Sequence, residues 1–151
     1  MTMPDELPLK KIVVPIDGSD SSLRAARYAI NIARMAKAEI ICMHAVVNPP
    51  YVEYKAAGIV IVRYIGEAKR HAEMWYDDIR DMAVKEGVKF SAETILDVAS
   101  AADSIVNYAD GKKADLVVIG TKGRTGLKRF LLGSVASGVV SHAKCSVLVV
   151  R

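Results

Sequence analysis

The chain has 151 residues, of which 52% are hydrophobic and 25% are charged, and its formal net charge is +4. This length fits one domain, over residues 1–151, with enough residues to bury a substantial core. No apolar run reaches the roughly 18 residues that would span a bilayer, and basic side chains are interleaved with acidic ones, so we expect neither a membrane nor a nucleic-acid partner.

Two further features indicate the cellular compartment. The first eight residues contain no basic segment followed by an apolar one, so we expect no secretory signal. Cys42 and Cys145 have neither a metal-ligand spacing nor the pattern of a disulfide framework, which predicts two reduced thiols that act as small apolar side chains. These features together predict a cytoplasmic protein.

The rest of the chain alternates between strand-like and helix-like segments. A first strand over residues 10–16 is apolar on both faces, as a central parallel strand should be, with Pro15 at its end. The alternation predicts a parallel sheet with right-handed crossovers and helices on both faces. The segments that follow are a helix over 20–37, a strand over 39–47, a loop over 48–58, an amphipathic helix over 61–86 ended by Gly87, a strand over 89–95, a helix over 97–108, a strand over 114–120, a helix over 135–142 and a strand over 147–150.

A glycine-punctuated basic loop follows the fourth strand and is the most informative stretch of the chain. Gly120 is followed after two residues by Gly123, and after nine more by Gly133 and Ser134. Ser134 stands at the N-cap position of the helix predicted over 135–142. Glycines that admit a close ligand, together with the N–H groups and positive dipole end of a helix, predict an anion site. The loop carries the cations Lys122, Arg124, Lys128 and Arg129.

The spacing of these glycines matches neither the Walker motif nor the dinucleotide motif G-x-G-x-x-G. It resembles the universal stress protein family, whose nucleotide-binding members carry this arrangement at the end of their fourth strand. The resemblance extends to KIVVPIDGS at residues 11–19 and to VLVVR at residues 147–151, so it spans nearly the whole chain. It implies an open, five-stranded Rossmann-like sheet of the adenine nucleotide alpha hydrolase type, with strand order 3-2-1-4-5.

That strand order brings the carboxyl ends of strands one and four together at the point where the winding reverses, which is where open α/β sheets bind ligands. Asp17 and Gly120 end these two strands, so both motifs converge on one crevice. The resemblance implies that the crevice binds ATP, with Mg²⁺ or Mn²⁺ left open. Asp17 would then bond the ribose or base, the backbone of Ala45 would meet the adenine edge, and Pro15 would line the base pocket. Backbone groups of Thr121, Gly123, Ser134 and Val135, together with the Ser134 hydroxyl, would hold the phosphates or ribose. The other residues expected in the nucleotide-binding site are Gly120, Arg124, Gly133 and Ala136.

Several of these residues also have a structural interpretation. Asp17 fits an Asx-turn or a helix cap as well as a ligand contact. The glycines fit a turn without a ligand, and the four cations fit a solvated loop. Ala136 stands where some nucleotide-binding relatives have a hydroxyl residue, which weakens the case for a tight γ-phosphate or metal contact. No histidine is assigned a catalytic role, and no residue is assigned as a metal ligand.

The sequence favours a nucleotide-dependent sensor or regulatory module with at most slow ATP hydrolysis, because no general base or in-line arginine accompanies the phosphate site. A role in the stress response follows from the resemblance alone. Two alternatives stay open: a nucleotide-free dimeric interaction protein, and an ATP pyrophosphatase-type enzyme, which the DGSDSS stretch at residues 17–22 faintly favours. The apolar last strand, expected at a sheet edge, predicts a homodimer through residues 147–150.

Overall fold

The computed structural model describes residues 8–48, 57–122 and 131–151. Its elements are β1 (Lys11–Pro15), α1 (Asp20–Ala36), β2 (Glu39–Val47), α2 (Ala57–Lys85), β3 (Phe90–Val98), α3 (Ala101–Gly111), β4 (Leu116–Gly120), α4 (Ser134–His142) and β5 (Ser146–Val150). All strand pairs are parallel and the sheet has the order β3-β2-β1-β4-β5, which confirms the predicted fold class and strand order. Within the described ranges, no helix has the length and apolar character needed to cross a membrane.

The two faces of the sheet are covered by different helices. Along β1, Ile12 and Val14 face the layer formed by α1 and α2, whereas Val13 faces the layer formed by α3 and α4. All three side chains are completely buried. This is why the β1 segment is apolar at successive positions, since a strand covered on both faces has no side that meets water.

Two helices, α2 and α3, begin four residues away from their predicted starts at 61 and 97. The first turns of α2, from Ala57, carry exposed apolar side chains such as Val60 and Val62, so no buried stripe marks them in the sequence. The start of α3 is four residues later than expected, because β3 continues to pair with β2 as far as Val98. Ser100 then caps α3, its Oγ accepting the Asp103 N–H at 3.3 Å.

Tyr76 joins α2 to the edge of the sheet. Its side chain is buried, and its hydroxyl donates to the Glu93 carbonyl oxygen at 2.9 Å and lies 3.0 Å from Thr94 Oγ1. Burial raises the pKa of Tyr76 to about 12. The protonated hydroxyl is therefore part of the folded state.

We expect Tyr76→Phe to lower the free energy of unfolding by about 1–2 kcal/mol at neutral pH, because the part-buried hydrogen bonds of the Tyr76 hydroxyl to the Glu93 carbonyl and the Thr94 hydroxyl are lost. The ordinary tyrosine pKa of 10.0 applies to the unfolded chain and about 12 to the folded one, so ionisation favours unfolding above pH 10. Urea denaturation between pH 9 and about 12 should therefore show a steeper loss of stability for the wild type than for the variant. Parallel pH profiles would contradict this account of Tyr76.

Candidate functional site

A cleft opens at the carboxyl ends of β1 and β4, where the winding of the sheet reverses. The starts of α1, α3 and α4 complete its wall. The structure brings these sequence-predicted site residues together in it: Pro15, Asp17, Ala45, Gly120, Thr121, Gly133, Ser134, Val135 and Ala136. The remaining two predicted residues, Gly123 and Arg124, lie outside the described residues, as do Lys128 and Arg129.

The cleft wall also contains residues that the sequence analysis did not assign to the site. For most of them the only signal in the sequence is position, since they directly flank the motif residues at the ends of β1, β2 and β4, and Lys122 was also marked as a cation of the basic loop. Ala101 and Ile105, both from α3, carried no signal in the sequence, because only the fold brings this helix over the cleft. The residues are Ile16, Ser19, Ser22, Met43, His44, Ala101, Ile105, Ile119 and Lys122.

Asp17 is held by the turn between β1 and α1. Its Oδ1 accepts the Ser19 N–H at 2.9 Å and the Ser19 hydroxyl at 2.5 Å. Ser19 in turn caps α1, with its Oγ accepting the Ser22 N–H at 3.2 Å. The Asx-turn interpretation of Asp17 is therefore correct, and the same turn fixes this carboxylate in the wall of the cleft.

Gly120 lies directly against the backbone of α1. A Cβ at this position would lie 2.7 Å from the backbone carbonyl carbon of Ser21 and 2.8 Å from its oxygen. Ser21 is buried, and its Oγ accepts the Lys122 N–H at 3.3 Å. Packing against α1 therefore requires a glycine here, whatever the cleft binds.

The N-terminus of α4 faces the cleft. The predicted N-cap at Ser134 is wrong by one residue: the helix begins at Ser134, Gly133 is the N-cap, and no side chain caps the helix among the described residues. The physical reason is a long-range contact, since the Gly133 N–H donates to the Thr121 carbonyl at 2.8 Å and fixes where the helix starts. The first N–H groups of α4 and its positive dipole end are therefore available at the cleft.

The electrostatics of the cleft favour an anion at the α4 end. Within the described part of the wall, Asp17 is the one acidic side chain and Lys122 the one cation of lysine or arginine type. The described ranges contain no group of three His, Cys, Asp or Glu side chains that could hold a metal ion. The rest of the wall is largely apolar, with a few polar groups, as is usual for sites that bind organic ligands.

Comparison with known proteins agrees with this architecture. Residues 8–151 match the profile of the Universal stress protein family. A universal stress protein of Methanocaldococcus jannaschii is 45% identical over 144 residues, which cover 94% of this chain and 82% of that one. The structure of UspA from Lactobacillus plantarum has a TM-score of 0.88 at 26% identity, over 97% of this chain and 100% of that chain. The universal stress protein of Archaeoglobus fulgidus in complex with dAMP has a TM-score of 0.68 at 27% identity, over 96% and 100%.

We expect Gly120→Ala to destabilise the protein by about 1–3 kcal/mol, because the new methyl group overlaps the backbone of α1 and forces β4 and α1 apart. Gly66→Ala is the matched control, since a Cβ at this position of α2 meets nothing within 4 Å. That control should stabilise the helix by roughly 0.5–1 kcal/mol. Urea denaturation of both variants measures the difference, and equal stabilities would show that the close approach at Gly120 is absent.

Proposed function

The chain belongs to the universal stress protein family, and on this premise we propose that its cleft binds an adenine nucleotide, ATP included, and that the protein acts as a nucleotide-dependent regulatory module. The observation that carries the proposal is the N-terminus of α4, which no side chain of the described residues caps and which faces an apolar cleft at the switch point of the sheet. Such a cleft fits a ligand with an anionic end and a flat, weakly polar end.

The anionic end of the nucleotide belongs at α4. The N–H groups of Ser134 and Val135 lie in the first turn, and Gly133 places no side chain between them and the cleft. Lys122 adds a positive charge in the same wall. Gly123 and Arg124, which lie outside the described residues, are proposed to complete this phosphate cradle, as the resemblance implies.

The base and ribose belong at the other end of the cleft. Pro15, Ile105 and Ile119 provide apolar surface on which a base can be buried, and the Asp17 carboxylate supplies an acceptor for a ribose hydroxyl. The dAMP complex of the Archaeoglobus fulgidus protein supports the adenine nucleotide class, because that relative matches this chain over 96% of its length.

The residues of the cleft wall suit nucleotide binding and regulation, with at most slow hydrolysis, better than they suit fast phosphoryl transfer. Asp17 Oδ1 accepts two hydrogen bonds from Ser19, and His44 Nδ1 lies 2.7 Å from the Ile16 carbonyl oxygen. Both titratable groups thus have structural roles. A wall with a single described carboxylate also supplies few ligands to Mg²⁺ or Mn²⁺, so an ion that accompanied ATP would be held mainly by phosphates and water.

We expect Ser134→Asp to weaken ATP and AMP binding at least about tenfold, because a carboxylate at the start of α4 occupies the position of the phosphate and repels it. The same variant should be more stable by about 0.3–1 kcal/mol, since an acidic side chain favours a helix N-terminus. Isothermal titration calorimetry and urea denaturation measure the two effects.

Ser141→Asp is the matched control, because it adds the same charge to the last turn of the same helix. It should bind both nucleotides like the wild type and be slightly less stable, as the dipole is reversed at that end. A wild-type protein that takes up neither ATP nor AMP would refute the proposed function, and an unchanged affinity in Ser134→Asp would place the phosphate elsewhere.

We also propose that the chain forms a homodimer through β5, in continuity with the sequence prediction. β5 is the edge strand beside β4, and Leu148 in its middle is 36% exposed. The Val150 carbonyl accepts the Thr121 N–H, so the even-numbered residues of β5 turn their backbone groups towards β4. The backbone groups of Val147 and Val149 then point away from the sheet, where a second copy of the strand can pair with them.

We expect Val147→Pro to dissociate the dimer with little loss of stability, because it removes an outward-pointing N–H near the start of an edge strand. Leu148→Pro is the control, since it removes an N–H that points to β4 and should also destabilise the fold. Sedimentation equilibrium gives the assembly state and thermal denaturation the stability. A Val147→Pro protein that sediments as a dimer would exclude this interface.

A further inference from the structure

The hydrogen-bond ladder between β1 and β2 ends in an unusual way. The odd-numbered residues of β2 turn their backbone groups towards β1: the Glu39 N–H donates to the Lys10 carbonyl at 2.9 Å, and the Met43 carbonyl accepts the Ile16 N–H at 2.8 Å. The next bond of a regular parallel ladder would run from the Ala45 N–H to the Ile16 carbonyl. Among the described residues, the Ala45 N–H makes no such bond to the Ile16 carbonyl.

The imidazole of His44, rather than the Ala45 N–H, bonds to the Ile16 carbonyl. Its Nδ1 lies 2.7 Å from the Ile16 carbonyl oxygen. Because a carbonyl oxygen can only accept, Nδ1 carries the proton and donates it. A side chain of β2 thus satisfies the last carbonyl of the β1 segment, and the neighbouring Ala45 N–H is not used for this purpose.

Packing holds the His44 ring in this position. The rings of His44 and Trp75 meet edge to face, with centroids 5.2 Å apart and planes at 88°. Trp75 also stacks with His71, with ring centroids 6.3 Å apart, and it covers Gly18, where a Cβ would lie 2.9 Å from the indole nitrogen. The orientation of the imidazole is therefore set by α2 and by the turn after β1, before any ligand arrives.

The bond between His44 and Ile16 affects the cleft, because Ala45 lies in the cleft wall together with Pro15 and Met43. The edge of adenine offers an acceptor nitrogen next to an amino group, which complements a backbone N–H and carbonyl of one residue. We infer, on the basis of the nucleotide-binding function proposed above, that His44 is a positioning residue for base recognition. By occupying the Ile16 carbonyl it leaves the Ala45 N–H to bind the base.

Two variants separate the donor of His44 from its ring. His44→Phe keeps an aromatic ring against Trp75 and removes the donor, whereas His44→Asn removes the ring and keeps an N–H donor near the position of Nδ1. We expect His44→Phe to weaken AMP binding roughly three- to tenfold, the effect of one hydrogen bond, because the Ala45 N–H then pairs with Ile16. His44→Asn should bind AMP about as tightly as the wild type, since the donor is retained.

Ribose 5-phosphate is the probe that distinguishes positioning from general damage, because it lacks the base. Calorimetric titration should give the same ribose 5-phosphate affinity for the wild type and for His44→Phe. Equal losses of AMP and ribose 5-phosphate affinity in His44→Phe would overturn the inference and leave the nucleotide function standing. A wild type that binds neither compound would refute the nucleotide function, and the role of His44 with it.

Amide hydrogen exchange tests the structural step directly, with the Met43 amide of the same strand as reference. In the wild type without ligand, the Ala45 amide should exchange faster than the Met43 amide and become protected when AMP binds. In His44→Phe it should be protected already without AMP. An Ala45 amide that is as protected as Met43 in the ligand-free wild type would also overturn the inference.

Discussion

The limited pairing of β1 with β4 is the constraint on which the site depends. The two strands pair only at Ile12–Leu116 and Val13–Val117, whereas β1 pairs with β2 along all five of its residues. Asp115 fixes the amino end of this pair, because its carboxylate accepts the N–H groups of both Lys10 and Lys11. Joined at one end and separated at the other, β1 and β4 leave a cleft into which their last residues point.

Burial explains where the sequence predicted an element well. β2 has the predicted bounds, 39–47, because its residues 40–43 are all buried and form an uninterrupted apolar run that marks a strand covered on both faces. β3 was predicted too short, since its last residues are defined by pairing with β2 across a register shift between Ala45 and Val47. Such a register shift depends on both strands and cannot be recognised in the sequence of either strand alone.

The same distinction applies to the site. Glycines and an aspartate after strands are local signals, so Asp17, Gly120 and Gly133 could be selected before the fold was known. The cap of α4 and the hydrogen bond of His44 Nδ1 depend on partners far away in the chain, Thr121 for Gly133 and Ile16, 28 residues earlier, for His44. Hydrogen bonds of this kind cannot be predicted from the spacing of residues in the sequence, because they form only when the fold brings distant segments together.

The contact between Gly18 and Trp75 has a consequence for how such a chain can diverge. Gly18 has φ +80, a conformation that side chains rarely adopt, and the indole fills the space that a Cβ would need. Positions 18 and 75 lie in different elements and far apart in sequence, yet position 18 cannot gain a side chain while the indole stays. A lineage that acquires a side chain at 18 has to give up the indole and rebuild the turn, so a change at 18 should be accompanied by a change at 75 in descendants of this protein.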